Sequence, residues 1–249
     1  MNDPRVEALY YLVKHSDSVD YASAEPIERE TPAYTVRIAD GRAEIVMKSD
    51  HVTADSARME VEPFLRAWEL TAALELGPGQ FEFVYDRSKV VNRAIPATRL
   101  VEASWSVAIE TAEARPSKYP DPPPSGIAID EVVAQMSECY SQYRRSRRTL
   151  PDAANTCLTW LEKSGGGRSR AATRFAVAKT VLNKVGELAG EKGGTEARKA
   201  KGAGTEFTAA ERQWLEQAIK RLILRAGEIA GNPSARFPQI TMADLPPRA

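Results

Sequence analysis

The chain has 249 residues, 43% hydrophobic and 27% charged, with 34 basic and 34 acidic side chains and a formal net charge of zero. That length buries a core outright and holds one large domain or two modest ones, and the composition is that of a globular protein. No stretch reaches the roughly 20 consecutive apolar residues that cross a bilayer, so no membrane partner is expected. The opening MNDPRVEALYYLVKHSD has acids at Asp3 and Glu7 and does not read as a signal peptide. Cys139 and Cys157 are too few for a disulfide framework, and a reducing, cytoplasmic setting is expected.

Residues 4–14 place Val6, Leu9, Tyr10 and Val13 at helical spacing, and the spacing predicts a helix there. Residues 34–38 and 43–47 alternate apolar and polar around Asp40-Gly41, a strong signal for a β-hairpin. Residues 63–75 read as a second helix with Pro63 in its first turn, Phe64, Leu65, Trp68 and Ala72 on one face, and Gly77-Pro78-Gly79 as its stop. Phe81, Phe83 and Tyr85 then alternate in a strand. A longer strand is expected to follow, with Val101, Ala103, Trp105, Val107 and Ile109 on one face. One apolar and one polar face per strand fits an antiparallel sheet covered on one side by helices.

Residues 114–126 hold five prolines, which excludes a helix interior or a central strand and predicts a linker. Beyond it the pattern is helical. Asp130 caps a helix striped by Val132, Val133, Met136, Cys139, Tyr140 and Tyr143. A short helix spans 151–163, Gly165-Gly166-Gly167 interrupt, and a third helical region covers about 168–189. Residues 190–206 are rich in Gly and Lys and read as a loop. Thr208 and Glu211 form a capping box for a last helix striped by Leu215, Ile219, Leu222, Ile223, Ala226 and Ile229. Phe237, Ile240, Met242 and Leu245 suggest that the irregular tail docks. The expected class is therefore α+β, with an N-terminal antiparallel sheet with helices (1–113), a Pro-rich linker (114–126), a C-terminal bundle-like domain of four helices (127–231) and an irregular tail (232–249).

Charge is unevenly spread. Residues 139–186 carry ten Lys or Arg against Asp152 and Glu162, a net of +8, which leaves −8 on the other 201 residues. Arg144, Arg145, Arg147 and Arg148 close a helix, where cations meet the negative end of the helix dipole. One or two arginines suffice for that, and four within five residues also suit phosphates. A third use is internal, as residues 1–120 carry a net −6 and residues 121–249 a net +6.

The run RSRAATRFAVAKTVLNKV (168–185) resembles the helix-turn-helix of DNA-binding regulators. Ala172 takes the small position, Phe175-Ala176-Val177 the turn, and Leu182 and Val185 the two apolar positions beyond it. The resemblance implies a second helix from about Ala178 that enters a major groove, with Lys179, Thr180, Asn183 and Lys184 toward bases or phosphates. Ala176 departs from the pattern, where that family has Gly to relieve the turn. The plainer expectation is one continuous Ala-rich helix with a solvated basic face. Residues 61–77 (VEPFLRAWELTAALELG) and 238–247 (PQITMADLPP) are similar to segments of uncharacterised bacterial proteins of about this length, which implies a recurring layout and no activity.

Catalytic signals are weak. The strings of a phosphate-binding Walker loop and of a hydrolase nucleophile elbow are both lacking. His15 and His51 come with no Cys or His cluster for zinc, and His15 is expected to sit simply after a helix. Cys139 and Cys157 lie in apolar stripes and read as core. No cofactor and no metal are expected. The leading reading is a non-catalytic binding or regulatory protein that contacts nucleic acid through Arg144, Arg145, Arg147, Arg148, Arg168, Arg170, Arg174, Lys179 and Lys184. The alternative is a protein–protein adaptor or accessory subunit whose basic face meets an acidic partner or a second copy. An enzyme is third.

Overall fold

The computed structural model describes residues 4–16, 19–21, 23–92, 115–116, 118–124, 126–192 and 206–247. The chain divides into two compact units, Met1–Pro122 and Pro123–Ala249. The class is α+β, with an antiparallel sheet in the first unit and a helical second unit. Among the described residues no helix is long and apolar enough to cross a membrane.

The first unit is built on β1 (Arg5–Lys14), β3 (Ile27–Glu30), β4 (Tyr34–Ala39), β5 (Arg42–Met47) and β6 (Glu82–Val91), in the order β3-β4-β5-β1-β6. A separate parallel pair joins β2 (Val19–Asp20) to β7 (Arg115–Pro116). The expected Asp-Gly hairpin is present. Asp40 (φ 50°) and Gly41 (φ 68°) both take the positive φ that a tight two-residue turn demands, with Ala39 opposite Arg42. The strand expected over 101–110 lies outside the described residues.

Residues 4–14 correct the sequence expectation, for they form β1, an interior strand of the sheet, and not a helix. Two register irregularities against β6, at Val6/Ala8 and Tyr10/Tyr11, interrupt the two-residue alternation. Val6, Leu9, Tyr11 and Val13 all end up buried, and a bulged strand thereby imitates a helical period.

The inner sheet face is covered by α1 (Ala54–Glu75), and here too the expectation needs correction. The helix starts nine residues before Pro63, at an N-cap on Thr53 whose hydroxyl accepts from Ser56 N. Pro63 lies mid-helix on the exposed side, where water can reach the carbonyl its ring leaves unpaired. The buried stripe of Ala57, Val61, Leu65, Trp68 and Ala72 runs straight through it. Trp68 anchors the core. It packs on Phe64, Phe81 and Phe83, each with ring centroids 5.7 Å away, and donates from Nε1 to Pro120 O at 3.0 Å. Tyr119 stacks on Tyr21 at 4.7 Å and its hydroxyl accepts from Gly41 N at 2.8 Å. The Pro-rich stretch thus contributes core residues to the first unit.

The second unit holds α2 (Glu131–Arg144), α3 (Leu150–Gly165), α4 (Arg168–Arg174), α5 (Lys179–Glu191) and α6 (Ala209–Gly231). That is five helices among the described residues where four were expected, because the region 168–189 is broken in two. The Thr208–Glu211 capping box forms as the sequence predicts. The tail packs on this unit, with Ile240 and Leu245 buried and a Thr241–Asp244 cap on the 3-10 turn Met242–Asp244.

Truncating Trp68 to Ala removes the centre of the aromatic cluster and its bond to Pro120. It is expected to cost the first unit about 3–5 kcal/mol, read as a lowered urea midpoint.

Candidate nucleic-acid interface

The candidate segment runs over three consecutive helices, α3, α4 and α5. Thr149 caps α3, with Pro151 and Asp152 in the first turn, where a missing N–H and a negative charge are both favourable. Gly166 ends the helix in the left-handed conformation (φ 76°), and Gly167 (φ 106°) opens α4 at once. The corner is tight. A Cβ on Gly165 would stand 2.6 Å from Ala171 Cα, so α3 and α4 touch backbone to backbone.

The chain then turns over residues 175–178 before α5 begins. This overturns the continuous-helix expectation. Phe175 and Val177 are both buried, and side chains two apart cannot share one face of a helix. Val177 N–H reaches back to Ala172 O at 2.9 Å and Ala176 N–H to Thr173 O at 3.3 Å, a Schellman-type ending. Ala176 occupies the left-handed position with φ 45°. For a residue with a Cβ that conformation costs roughly 1–2 kcal/mol.

The clamp that holds the turn comes from elsewhere in the chain. Arg225 of α6 is 5% exposed, and its Nη1 donates to Phe175 O (3.4 Å), Ala176 O (3.1 Å) and Pro238 O (2.8 Å). Its Nε donates to Glu228 at 2.7 Å, which neutralises the buried charge, and its guanidinium lies 5.3 Å from the Phe237 ring centre. Ile240 adds a parallel bridge to Val177. Ile240 N–H donates to Ala176 O and Ala178 N–H to Ile240 O, both at 2.8 Å. Arg225 is the residue that sequence reasoning missed. Its one signal was a charge set in the apolar stripe Leu222, Ile223, Ala226.

From the turn, α5 buries Val181, Leu182, Val185, Leu188 and Ala189. Leu182 and Val185 are thus inward, as the helix-turn-helix pattern implies. Lys179, Thr180 and Asn183 are exposed, Lys184 is half-buried, and the first acid on the helix is Glu187.

The nine predicted contact residues divide. Arg144 donates to Tyr140 Oη at 3.1 Å and lies 3.6 Å from Glu216, tying α2 to α6. Burial pushes the Tyr140 phenol well above its usual range, so it stays a neutral partner. Arg148 bonds Gln142 and Thr156 and pairs with Asp152 at 3.2 Å, tying α2 to α3. Arg168 pairs with Glu162 at 2.5 Å and donates to Asn183 at 3.4 Å, and Lys184 pairs with Glu187. Arg174 is exposed and donates to Ser164 O. Arg145, Arg147, Arg170 and Lys179 are exposed, with no side-chain hydrogen bond or ion pair among the described residues. Among those residues no ion pair or hydrogen bond joins a side chain of 144–148 to one of 168–184. Four of the nine, Arg144, Arg148, Arg168 and Lys184, thus have acid partners within the second unit.

The two histidines share no partner. His15 follows β1, not a helix, and packs edge-on against Tyr21. His51 sits in a polar knot at the start of α1. Its Nε2 lies 2.6 Å from Glu60 and 3.1 Å from Ser49, and its Nδ1 lies 3.1 Å from Ser56. Hydrogen bonds from Ser49 and His51 hold the Glu60 carboxyl below its usual range. The Ser56 hydroxyl donates to Thr53 O and His51 O accepts from Val6 N–H, so the knot fastens the loop between β5 and α1. Cys139 and Cys157 are buried free thiols, both raised by burial. No group of three or more metal-ligating side chains occurs among the described residues.

Compared with protein-family models, curated proteins and solved structures, the chain matches none.

Two substitutions test the clamp. Ala176→Gly relieves the left-handed residue at some entropic cost and is expected to stabilise the second unit by about 0.5–1 kcal/mol, seen as a higher denaturation midpoint. Arg225→Met removes the guanidinium donor from the turn carbonyls of Phe175 and Ala176 and from Pro238 O, and leaves Glu228 without its cation. It should cost about 3 kcal/mol, and hydrogen exchange should rise at Val177, Ala178 and Ile240 first.

Proposed function

We propose that this is a non-catalytic, nucleic-acid-binding regulatory protein whose second unit presents α4 and α5 as a helix-turn-helix. The observation that carries this reading is the break at 175–178. It starts a new helix at Lys179, packed inward through Leu182 and Val185. The N-terminal half of that helix shows Lys179, Thr180 and Asn183 to solvent ahead of any acid. In such motifs the N-terminal residues of the second helix meet base edges. Asn183 carries the amide that pairs bidentately with adenine, and Lys179 suits guanine or phosphate. Arg145, Arg147, Arg170 and Arg174 are the exposed cations available for phosphates.

A protein partner is the second reading. It is favoured by the acids that follow on α5: Glu187, which neutralises Lys184, and Glu191. A helix that changes sign along its length suits a protein surface better than uniformly negative phosphate.

The test uses gel retardation of duplex DNA and of RNA at low salt. Retardation is expected to fall steeply as salt rises. Replacing Arg145, Arg147, Arg170 and Lys179 with Glu should abolish it without unfolding the unit, since none of the four holds a neighbour. Each lost phosphate contact should flatten the logarithmic salt slope by about 1. Asn183→Ala should weaken sequence preference and spare non-specific binding. No retardation of any DNA or RNA would sink the proposal, and a stoichiometric co-purifying protein would favour the adaptor.

A further inference from the structure

Arg168 opens α4, and its side chain reaches both neighbouring helices. Its Nε donates to Glu162 of α3 at 2.5 Å, and its Nη1 donates to Asn183 Oδ1 of α5 at 3.4 Å. The sequence reading places Arg168 among the phosphate contacts. Its side chain instead lines the groove of about 440 Å³ between α3 and α5, together with Asn155, Leu158, Asn183 and Gly186.

Gly186 makes room for the guanidinium. A Cβ there would stand 3.2 and 3.1 Å from Arg168 Nη1 and Nη2, and 3.3 Å from Leu158 Cδ2, all tighter than ordinary van der Waals contact. Glycine inside a helix is less favourable than alanine. At this position it lets the guanidinium lie close to the α5 backbone, one turn on from Asn183. The donors of a guanidinium form a rigid planar fork, so a carboxylate held at Nε also sets where Nη1 points.

What the fork fixes is the carboxamide of Asn183. A guanidinium only donates, so it can meet the oxygen of an Asn side chain and not the nitrogen. Asn183 Oδ1 is thereby turned to Arg168 with one lone pair to spare, and Nδ2 keeps both of its protons. The side chain makes no other hydrogen bond among the described residues. An Asn that reads adenine bidentately accepts from N6 and donates to N7. The spare lone pair and a spare proton of Asn183 are that set. An exposed carboxamide left alone rotates about its last bond, and ordering it on binding costs affinity.

We propose that Arg168, seated on Gly186 and held by Glu162, is the positioning residue that orients Asn183 for adenine. The role rests on α5 being the reading helix.

In the experiment the full chain selects duplexes from a random pool, and its affinity for the selected duplex is compared with that for bulk DNA. The native chain is expected to select an adenine whose replacement lowers affinity. Gly186→Ala keeps every charge and gains helix propensity, so it should fold, as circular dichroism would report. Its methyl displaces the guanidinium. The ratio of specific to non-specific affinity should then fall about fivefold, the cost of ordering one side chain. Arg168→Lys keeps the charge and loses the fork, and should lower the ratio equally. A merely structural contact would lower both affinities together and leave the ratio unmoved. In the DNA-free protein both variants should shift the Asn183 carboxamide resonances and raise its mobility by nitrogen relaxation. Unchanged carboxamide resonances, or an unchanged ratio in either variant, would overturn the role while leaving DNA binding by α5 standing. A native chain that binds without preferring any sequence would overturn it too. No binding at all would sink the helix-turn-helix reading itself, and this role with it.

Discussion

The second unit depends on one buried guanidinium. Arg225 comes from the last helix, yet the backbone it satisfies lies about fifty residues earlier and thirteen residues later, at Phe175, Ala176 and Pro238. A buried cation is costly unless charge and hydrogen bonds are both met. Here Glu228 meets the charge and three carbonyls use the donors. The return is geometric. The turn between α4 and α5 needs a left-handed residue and has only an alanine to supply it. Strain of that kind persists where the surroundings over-determine the conformation. Arg225 and the Ile240 bridge together do so, and the direction in which α5 leaves the turn follows from them.

The first unit solves a different problem with the same economy. Its sheet has one face under α1, and the aromatic side chains of β1, β6 and α1 fill the space between. Trp68 and Tyr119 each carry a polar atom into that core, and each finds a backbone partner: Trp68 gives its proton to Pro120, and Tyr119 receives one from Gly41. Prolines favour such a role. They leave carbonyls free to accept while supplying no donors that need satisfying.

Features set by neighbouring residues were legible in the sequence. The Asp40-Gly41 hairpin, the Thr208–Glu211 capping box and the glycine corner at 165–167 all depend on a few adjacent side chains. Features set at a distance were not. The period of residues 4–14 misled because bulges against β6, some seventy residues on, displace its alternation. Pro63 looked like a helix start because nothing local says that Met59 O faces water. The break between α4 and α5 was half visible. Its small and apolar positions could be counted, but the alanine at its left-handed position is held by Arg225 and Ile240, which no local pattern reveals. In the basic segment, Arg144, Arg148, Arg168 and Lys184 find acids that sequence counting could not assign to them.

The position of β1 bears on how the molecule is made. It is the first strand among the described residues and an interior strand of its sheet, paired with β5 and β6 on its two sides. During synthesis one edge can pair with β5 once Met47 is out, but the other must wait for residues as far along as Val91. Its contacts are long-range, and long loops must close before they form. The helical unit packs α2 on α3 and α3 on α4, neighbours in sequence, although α2 and α3 must also await α6. Residues 5–14 therefore stay an apolar segment with one open edge until β6 emerges, and a chaperone that engages nascent chains would find a binding segment there.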